Sequence, residues 1–356
     1  MRAEVQRKRL ISFRSCIPFL SGGFAFVVVA IMLSLAGVNP LMAYGAMLEG
    51  AFGSLHGIAD TFVKTTSLLL LGLAVAVAFK CKVWNIGTEG QLYLGALGAT
   101  LIGTSIIGSV PILGIIAMLV AGFVFGGSFA LIPAALKVKF GINEIIVTVL
   151  LNFVIILLIA YLLHGPLKDP NTIFNPYSPV IFSQSQLPMI LPHTRLHAGI
   201  IIAALATIAV YILLSKTKIG FEIKSVGANT KAARYAGMNV AKSIFVTMGI
   251  SGGIAGITGA ILVSGVQHLL IEGISPGYGF IAVIIALLGR NNPFGVAIAA
   301  FFFAALMSGS EFMYRMLGIP SSLAITLQAL VLIFVLIGEL FARLQVQKTE
   351  NAMKNW

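Results

Sequence analysis

Three groups of polar residues interrupt a sequence that is otherwise strongly apolar. They are WNIGTEGQ at 84–91, NEIIVTVLLN at 143–152 and EGISPGYGF at 272–280. Polar and ionisable side chains are costly within a lipid bilayer, and where they occur they mark solute paths, ion paths or proton relays. In the first two groups, the residues that we expect to border a translocation path are Asn85, Thr88, Glu89, Gln91, Asn143, Glu144, Thr148 and Asn152.

Other interpretations fit the same residues. Glu89 stands where it would cap the helix that follows, close to the positive end of the helix dipole. Glu144, Thr148 and Asn152 fall close to one helical face, where they would also form hydrogen bonds between packed helices. Glu89 and Glu144 could in addition relay protons, which would make the chain an ion-coupled secondary transporter.

Glycine and proline interrupt the first and third polar groups. Gly87 and Gly90 would loosen the start of a helix in the first group, and the Ser-Pro-Gly run at 275–277 would do so in the third. Broken helices in corresponding halves of a transporter free backbone groups to line a solute site. The sequence therefore predicts interrupted helices at these two places.

The sequence lacks the residue motifs that nucleotide binding, catalysis or metal binding would need. The sequence has no G-x-x-x-x-G-K-[ST] motif with which to hold ATP phosphates, and no H-E-x-x-H motif. Neither a Ser/His/Asp set nor a Cys/His cluster with metal-ligand spacing is present. We therefore predict no catalytic residue, no metal site and no cofactor bound by this chain, which excludes an enzyme.

The composition predicts a membrane protein. Of the 356 residues 58% are hydrophobic and 10% are charged, far from the soluble norm of about a quarter charged. Because lipid offers no partner for an open sheet edge, the expected fold is all-α, a polytopic transmembrane bundle of about ten spans. The spans are predicted near residues 19–37, 64–79, 86–107, 111–133, 144–163, 198–214, 243–266, 278–289, 294–310 and 321–341.

The charges sort by loop. With a cytoplasmic N-terminus, most of the 23 lysines and arginines fall on the inner side, as the positive-inside rule expects. This predicts a basic cytoplasmic N-terminus at 1–18, a transmembrane domain at 19–341 and a cytoplasmic tail at 342–356. The net charge of +12 does not indicate nucleic acid, because no soluble segment is large enough to present a basic surface.

Two loops and one helix carry further signals. The outer loop 164–197 is rich in proline and is expected to be irregular, whereas the inner loop 215–242 reads as two short helices with glycine stops. In the helix after that loop, small residues recur at three- and four-residue spacing, which is typical of close helix packing. The glycines assigned to this packing are Gly249, Gly252, Gly253 and Gly256.

Several stretches together resemble a known family. They are Asn39-Pro40 with Ala43-Tyr44 and 50–54, the two polar groups at 84–91 and 143–152, VGANTKAARYAGMNV at 226–240, and GISPGYGFIAVIIALLGRNNPFG at 273–295. They resemble the inner-membrane permeases of bacterial ABC importers for simple sugars and nucleosides, in the branched-chain amino acid/ribose-type family. The likeness is greatest to the longer permease that accompanies basic-membrane-lipoprotein-type binding proteins.

This resemblance implies a multi-pass permease of the bacterial inner membrane. Its expected partners are a second permease subunit, two cytoplasmic ATP-binding subunits that use the ATP, an extracytoplasmic solute-binding protein and membrane lipid. The first expected solute is a nucleoside, and a simple sugar, a branched-chain amino acid or a vitamin are alternatives. The resemblance places coupling to the ATPase at Gly220, Gly227, Asn229, Ala232, Ala233, Arg234 and Gly237.

Overall fold

The computed structural model describes residues 23–341, except 36, 173–174, 321, 323–324, 327, 335 and 339–340. Within these ranges the chain forms helices and two isolated bridges, Tyr177–Ile271 and Met189–His197, without a β-strand. The all-α prediction is therefore confirmed. The predicted basic N-terminus at 1–18 and the tail at 342–356 lie outside the described residues.

The helices follow one another with few long connections. We number them α1 Gly23–Leu35, α2 Pro40–Phe52, α3 Leu55–Lys80, α4 Thr88–Gly103, α5 Leu113–Phe140, α6 Glu144–His164, α7 Gly199–Lys216, α8 Lys218–Ala228, α9 Thr230–Tyr235, α10 Val240–Ile261, α11 Tyr278–Leu288, α12 Pro293–Leu317 and α13 Gln328–Gly338. A π-helical turn, Leu262–Gln267, continues α10.

Among the described residues, six helices are long and apolar enough to cross a membrane: α3, α5, α6, α7, α10 and α12. The pair α1 and α2 is bent by 118° and adds a seventh if it is one span. Helices α4 and α11, with 16 and 11 residues, are shorter than a spanning helix and lie where interrupted helices are predicted. The count of ten spans stays a prediction.

Local sequence explains where the two short helices begin. The N-cap of α4 is Gly87, and α11 follows Gly277, whose φ of +89° is a left-handed conformation that favours glycine. At the other end of α11, Gly289 caps the helix before a turn that leads to Pro293 at the start of α12. Glycines therefore set both boundaries that the sequence marks as breaks.

The described chain forms two compact units, 23–58 with 305–341 and 59–304. In the first, α2 packs on the later part of α12: Gly50 lies against the Phe312 side chain, and Gly309 lies against the backbone of Met47. The ring of Phe24 on α1 meets that of Phe334 on α13, with centroids 5.2 Å apart. Aromatic contacts and small residues hold this unit together.

The second unit has α4 at its centre. Nearly every side chain of α4 is buried, and the apolar stretch of α3 is 89% buried, whereas those of α5, α6 and α7 are only 22–28% buried. Helices α5, α6 and α7 therefore present apolar faces to the outside, as expected for lipid or a membrane partner. Helices α3, α4 and α10, whose apolar stretches are mostly buried, form the core of this unit.

Glycines let α4, α5 and α10 pack closely. A Cβ added at Gly95 on α4 or at Gly122 on α5 would overlap the backbone of Gly256 on α10. A Cβ at Gly252 would meet the carbonyl of Gly126 on α5. The helix axes are therefore as close as their backbones allow, which is the usual benefit of small residues in membrane helices.

The segment between α6 and α7 lies over the end of α10. Its backbone donates from Ser178 to Leu270 O (3.0 Å), from Ile181 to His268 O (2.9 Å) and from Leu187 to Ser264 O (2.9 Å). The loop is irregular, as the prolines predict, yet backbone hydrogen bonds hold it to the π-helical turn and to the residues that follow that turn.

Candidate functional site

The turn between α3 and α4 carries the first polar group, and we call Trp84–Gln91 the entry segment. Asn85 and Gln91 exchange two amide hydrogen bonds of 2.9 and 3.0 Å. The Asn85 amide also donates to the hydroxyl of Ser251 on α10 (2.8 Å), which in turn donates to the carbonyl of Ala74 on α3 (2.6 Å). These three fully buried side chains connect α3, α4 and α10.

Asn152 ties α6 to the same segment. Its side-chain oxygen accepts from the backbone N–H of Gly90 (2.8 Å), and its amide donates to the carbonyl of Ile86 (2.9 Å). Thr148, one turn earlier and also buried, donates to the carbonyl of Glu144 within its own helix (2.7 Å). Asn152 therefore satisfies two backbone groups that the broken start of α4 leaves free.

Glu144 holds the beginning of the entry segment. It forms an ion pair with Lys137 at the end of α5 (2.5 Å) and accepts from the backbone N–H of Trp84 (3.3 Å). Asn143 is exposed and caps α6 by accepting from Ile145 N (2.9 Å). The structure thus brings Glu144 into the cluster and leaves Asn143 out of it.

Glu89 connects the first and third polar groups. Its carboxylate accepts from the backbone N–H of Gly279 in the first turn of α11 (2.6 Å), and Thr88 donates to the carbonyl of Gly279 (3.2 Å). Tyr93 donates to the carbonyl of Ser275 (3.3 Å), just before α11. Glu89 therefore caps α11, a different helix from the one for which the sequence suggested a cap.

Sequence reasoning did not assign Tyr93 or Ser251 to this cluster, and it placed Ser275 in the third polar group without giving it a role. Tyr93 and Ser251 are single polar residues in apolar or glycine-rich stretches, and only the tertiary structure shows that Tyr93 bonds to Ser275 and Ser251 to Asn85. A lone serine inside an apolar helix was the signal available for Ser251. Such serines often bond to their own helix instead, so spacing alone does not select it.

The predicted coupling residues occupy α8, α9 and the turns beside them. Thr217 caps α8, and Asn229 caps α9 by accepting from the N–H groups of Lys231 and Ala232. The prediction of two short helices in 215–242 is confirmed. The prediction that glycines end these helices is confirmed only for Gly237, which follows α9 and has a φ of +80°.

Gly220 and Gly227 lie inside α8, so the expectation that they stop helices is wrong. A Cβ at Gly220 would overlap the carbonyl of Leu213 on α7, and a Cβ at Gly227 would overlap the carbonyl of Lys80 at the end of α3. Both glycines are needed for close contact. Of the other predicted coupling residues, Ala233 is buried and Asn229, Ala232, Arg234 and Gly237 are exposed.

Two histidines lie together at the loop that covers the end of α10. His197 is buried, its Nδ1 accepts from Gly199 N (3.1 Å), and its Nε2 has no hydrogen-bond partner. Burial lowers the pKa of His197 to about 4, and the charge of His268 adds to that effect. His197 is therefore neutral at neutral pH.

Buried polar side chains clustered around short, glycine-started helices in an apolar bundle define a multi-pass membrane protein of the transport class. Residues 57–336 match the model of the family described as the branched-chain amino acid transport system / permease component. The chain belongs to this family and is a permease component. The permease prediction made from the resemblance of several stretches to this family is confirmed.

Curated relatives match most of the chain. A glucose ABC transporter permease protein of Haloferax volcanii is 36% identical, covering 92% of this chain and 89% of the relative. A guanosine ABC transporter permease protein of Bacillus subtilis is 33% identical (90% and 92%). A nucleoside ABC transporter permease protein of Lactococcus lactis is 29% identical (90% of each). No solved structure matches the chain.

Proposed function

We propose that this permease carries a nucleoside into the cell across the inner membrane and that separate subunits supply the energy by hydrolysing ATP. The observation that carries this proposal is the likeness, over nine-tenths of both chains, to permease proteins named for guanosine and for nucleosides. A simple sugar is the second candidate, favoured by the 36% identity to the glucose permease protein. The absence of a P-loop motif from the sequence supports ATP binding by a partner.

The proposed assembly contains a second permease, two cytoplasmic ATP-binding subunits and an extracytoplasmic solute-binding protein. The exposed side of α8 and α9, which carries Lys224, Lys231 and Arg234, would face the ATP-binding subunits. The apolar outer faces of α5, α6 and α7 would meet lipid and the second permease. Closure of the ATP-binding subunits would then rock the two permeases between inward-open and outward-open states.

We also propose that the cluster around the entry segment borders the solute path in at least one of these states. In this structure Asn85, Glu89, Gln91 and Asn152 are buried and bonded to protein, so they hold α4 in place, and α4 would form one wall of the path. Asn152→Cys should be labelled from the outside, and bound solute should protect it from labelling. If Asn152→Cys is labelled in none of the nucleotide states, the role of Asn152 is packing.

Reconstitution tests the function. The permease, its partner permease, the ATP-binding subunits and the binding protein are incorporated into liposomes, and uptake of radiolabelled guanosine and glucose is measured with and without internal ATP. ATP-dependent guanosine uptake is expected, and ATP-dependent uptake of glucose alone would establish the sugar candidate. Uptake by this chain alone, driven by a pH gradient, would contradict the proposal and show an ion-coupled transporter.

A further inference from the structure

We propose that Gly227 is a positioning residue: through its contact with the Lys80 carbonyl, movement of α8 displaces the entry segment. This inference rests on the proposed function, because it needs an ATP-driven movement of α8. It differs from the predicted coupling role, in which Gly227 belongs to the segment that contacts the ATPase. In the structure Gly227 is buried and faces its own chain.

The first step is the attachment of α8. Its two glycines are seven residues apart, which places them on the same side of the helix two turns apart. Gly220 contacts the backbone of Leu213 and Leu214, and Gly227 contacts the backbone of Lys80 and Cys81. Between them Ile223 is fully buried. The inner face of α8 is thus fixed at both ends by backbone contacts.

The second step is the stiffness of these contacts. A long side chain between two helices can change rotamer and absorb a displacement, whereas two backbones in contact have nothing to rearrange, and packed interiors transmit strain. The outer side of α8 is exposed, with Lys218 and Phe221 on its surface. A partner that presses on this exposed face would therefore move Lys80 by almost the same distance as α8.

The third step is the short connection from Lys80 to the polar cluster. The turn after α3 is fixed by hydrogen bonds from Cys81 N and Val83 N to Ala78 O (3.0 and 3.2 Å) and by Lys82, which has φ of +53°. Cys81 and Val83 are buried. The next residue, Trp84, is already bound to Glu144 of α6. A displacement at Lys80 therefore reaches the entry segment within four residues.

The fourth step is what the entry segment moves. Asn85 binds α10 through Ser251, Asn152 binds the segment to α6, and Glu89 caps α11. These side chains are buried, so their hydrogen bonds cannot be exchanged for water without cost. Movement of the segment would therefore be shared by α4, α6, α10 and α11.

The test compares Gly227→Ala with Gly249→Ala in the reconstituted complex. Gly249 is a matched control, because it is also helical and an added Cβ there meets only Leu131, at an ordinary 3.5 Å. Two quantities are measured for wild type and both variants: solute taken up per ATP hydrolysed, and hydrogen exchange of the 80–91 peptide with and without vanadate-trapped nucleotide.

In wild type and Gly249→Ala, trapped nucleotide should change the exchange of the 80–91 peptide. Gly227→Ala should bind the ATP-binding subunits, yet lose that nucleotide response and lower uptake per ATP by about tenfold, within the usual range for coupling between sites. A purely structural role would lower the melting temperature while leaving the nucleotide response of the folded complex in place. That result, or wild-type coupling in Gly227→Ala, would overturn the inference.

The wild-type measurement decides the matter even if Gly227→Ala does not assemble. Wild-type complex that transports solute with ATP, but shows the same exchange of 80–91 in both nucleotide states, contradicts the relay and leaves the proposed function intact. Wild-type complex that shows no ATP-dependent uptake contradicts the proposed function, and the relay falls with it.

Discussion

At the scale of single residues, the polar side chains around α4 replace the water that a bilayer interior lacks. An amide moved into an apolar environment without a partner costs several kcal/mol, so its donors and acceptors must all be engaged. Asn85 and Gln91 meet this demand by binding each other, and Asn152 meets it by binding backbone groups. Such mutual dependence predicts strong coupling between substitutions.

The pair of amides gives the first prediction. Asn85→Ala should destabilise the purified protein by about 1–3 kcal/mol, because it leaves the buried Gln91 amide without its partner. Gln91→Ala should cost a similar amount, and the double variant should cost less than the sum, with an interaction energy of about 0.5–3 kcal/mol. Denaturant unfolding in detergent measures the stability of the wild type, the two single variants and the double variant. Strict additivity would show that the two amides act independently.

The second prediction concerns the cap that Glu89 gives to α11. Glu89→Ala should destabilise the protein by about 1–3 kcal/mol, because the Gly279 N–H and its neighbours lose a buried acceptor. Glu89→Gln keeps an acceptor oxygen and should retain more of the stability. Thermal unfolding of the two variants compares them directly. If transport survives in Glu89→Gln, a proton relay through this carboxylate is excluded.

The third prediction concerns His197. Its pKa falls from an ordinary 6.5 to about 4 on burial, so between these values the unfolded chain binds more protons than the folded one. Stability should therefore decrease as the pH falls from about 6.5 to about 4, by up to about 1.4 kcal/mol per pH unit. His197→Asn, which keeps an acceptor for Gly199, should flatten that slope. An unchanged slope in unfolding measured at several pH values would assign the effect to another group.

At the scale of helices, the α4–α5–α10 contact depends on the absence of side chains. The glycines of this helical stretch differ in their surroundings: Gly252, Gly253 and Gly256 face backbone, methyl or aromatic neighbours, whereas Gly249 has room for a side chain. The four predicted packing residues are therefore not equivalent. Their individual surroundings predict opposite effects of the same substitution.

The fourth prediction follows from that difference. Gly256→Ala places a methyl group on the Gly122 carbonyl and should destabilise the protein by about 1–3 kcal/mol, as overpacking does. Gly249→Ala should be neutral or should stabilise by about 0.4–1 kcal/mol, because alanine loses less backbone entropy on folding. Melting temperatures of the two variants should fall on opposite sides of wild type or differ clearly. Equal losses would mean that helix α10 packs differently.

At the scale of the whole molecule, charge predicts which side of the membrane each loop faces. The segment 215–242 carries six basic residues, and the loop 164–197 carries two. Cytoplasmic loops are enriched in lysine and arginine, so α8 and α9 should lie inside and the loop between α6 and α7 outside. This assignment is also the one that coupling to a cytoplasmic ATPase requires.

Cysteine labelling provides the fifth prediction. In a chain with Cys16 and Cys81 replaced by serine, Gln184→Cys should react with a membrane-impermeant maleimide on intact cells, because position 184 is exposed in the outer loop. Lys224→Cys, exposed on α8, should react only after the membrane is permeabilised. Labelling of position 224 on intact cells would reverse the orientation and remove the support for coupling through α8.

Local sequence is sufficient for much of the architecture. Hydrophobic composition predicts the membrane class, long apolar runs predict most of the long helices, and glycine and proline mark the breaks before α4 and α11. Each of these signals acts over a few neighbouring residues, through helix geometry and the cost of polar groups in lipid. The polar residues of 84–91 were recognised as unusual for the same reason.

Only the tertiary structure decided what those residues bind. Glu89 caps a helix 190 positions further along the chain. Gly227 allows α8 to pack against the carbonyl of Lys80 and does not end a helix. Neither contact leaves a periodic signal, because hydrogen bonds and steric fits between distant segments depend on how helices pack and not on local spacing. The sequence therefore shows which polar residues are costly to bury in a membrane. The tertiary structure determines which partner each of them binds.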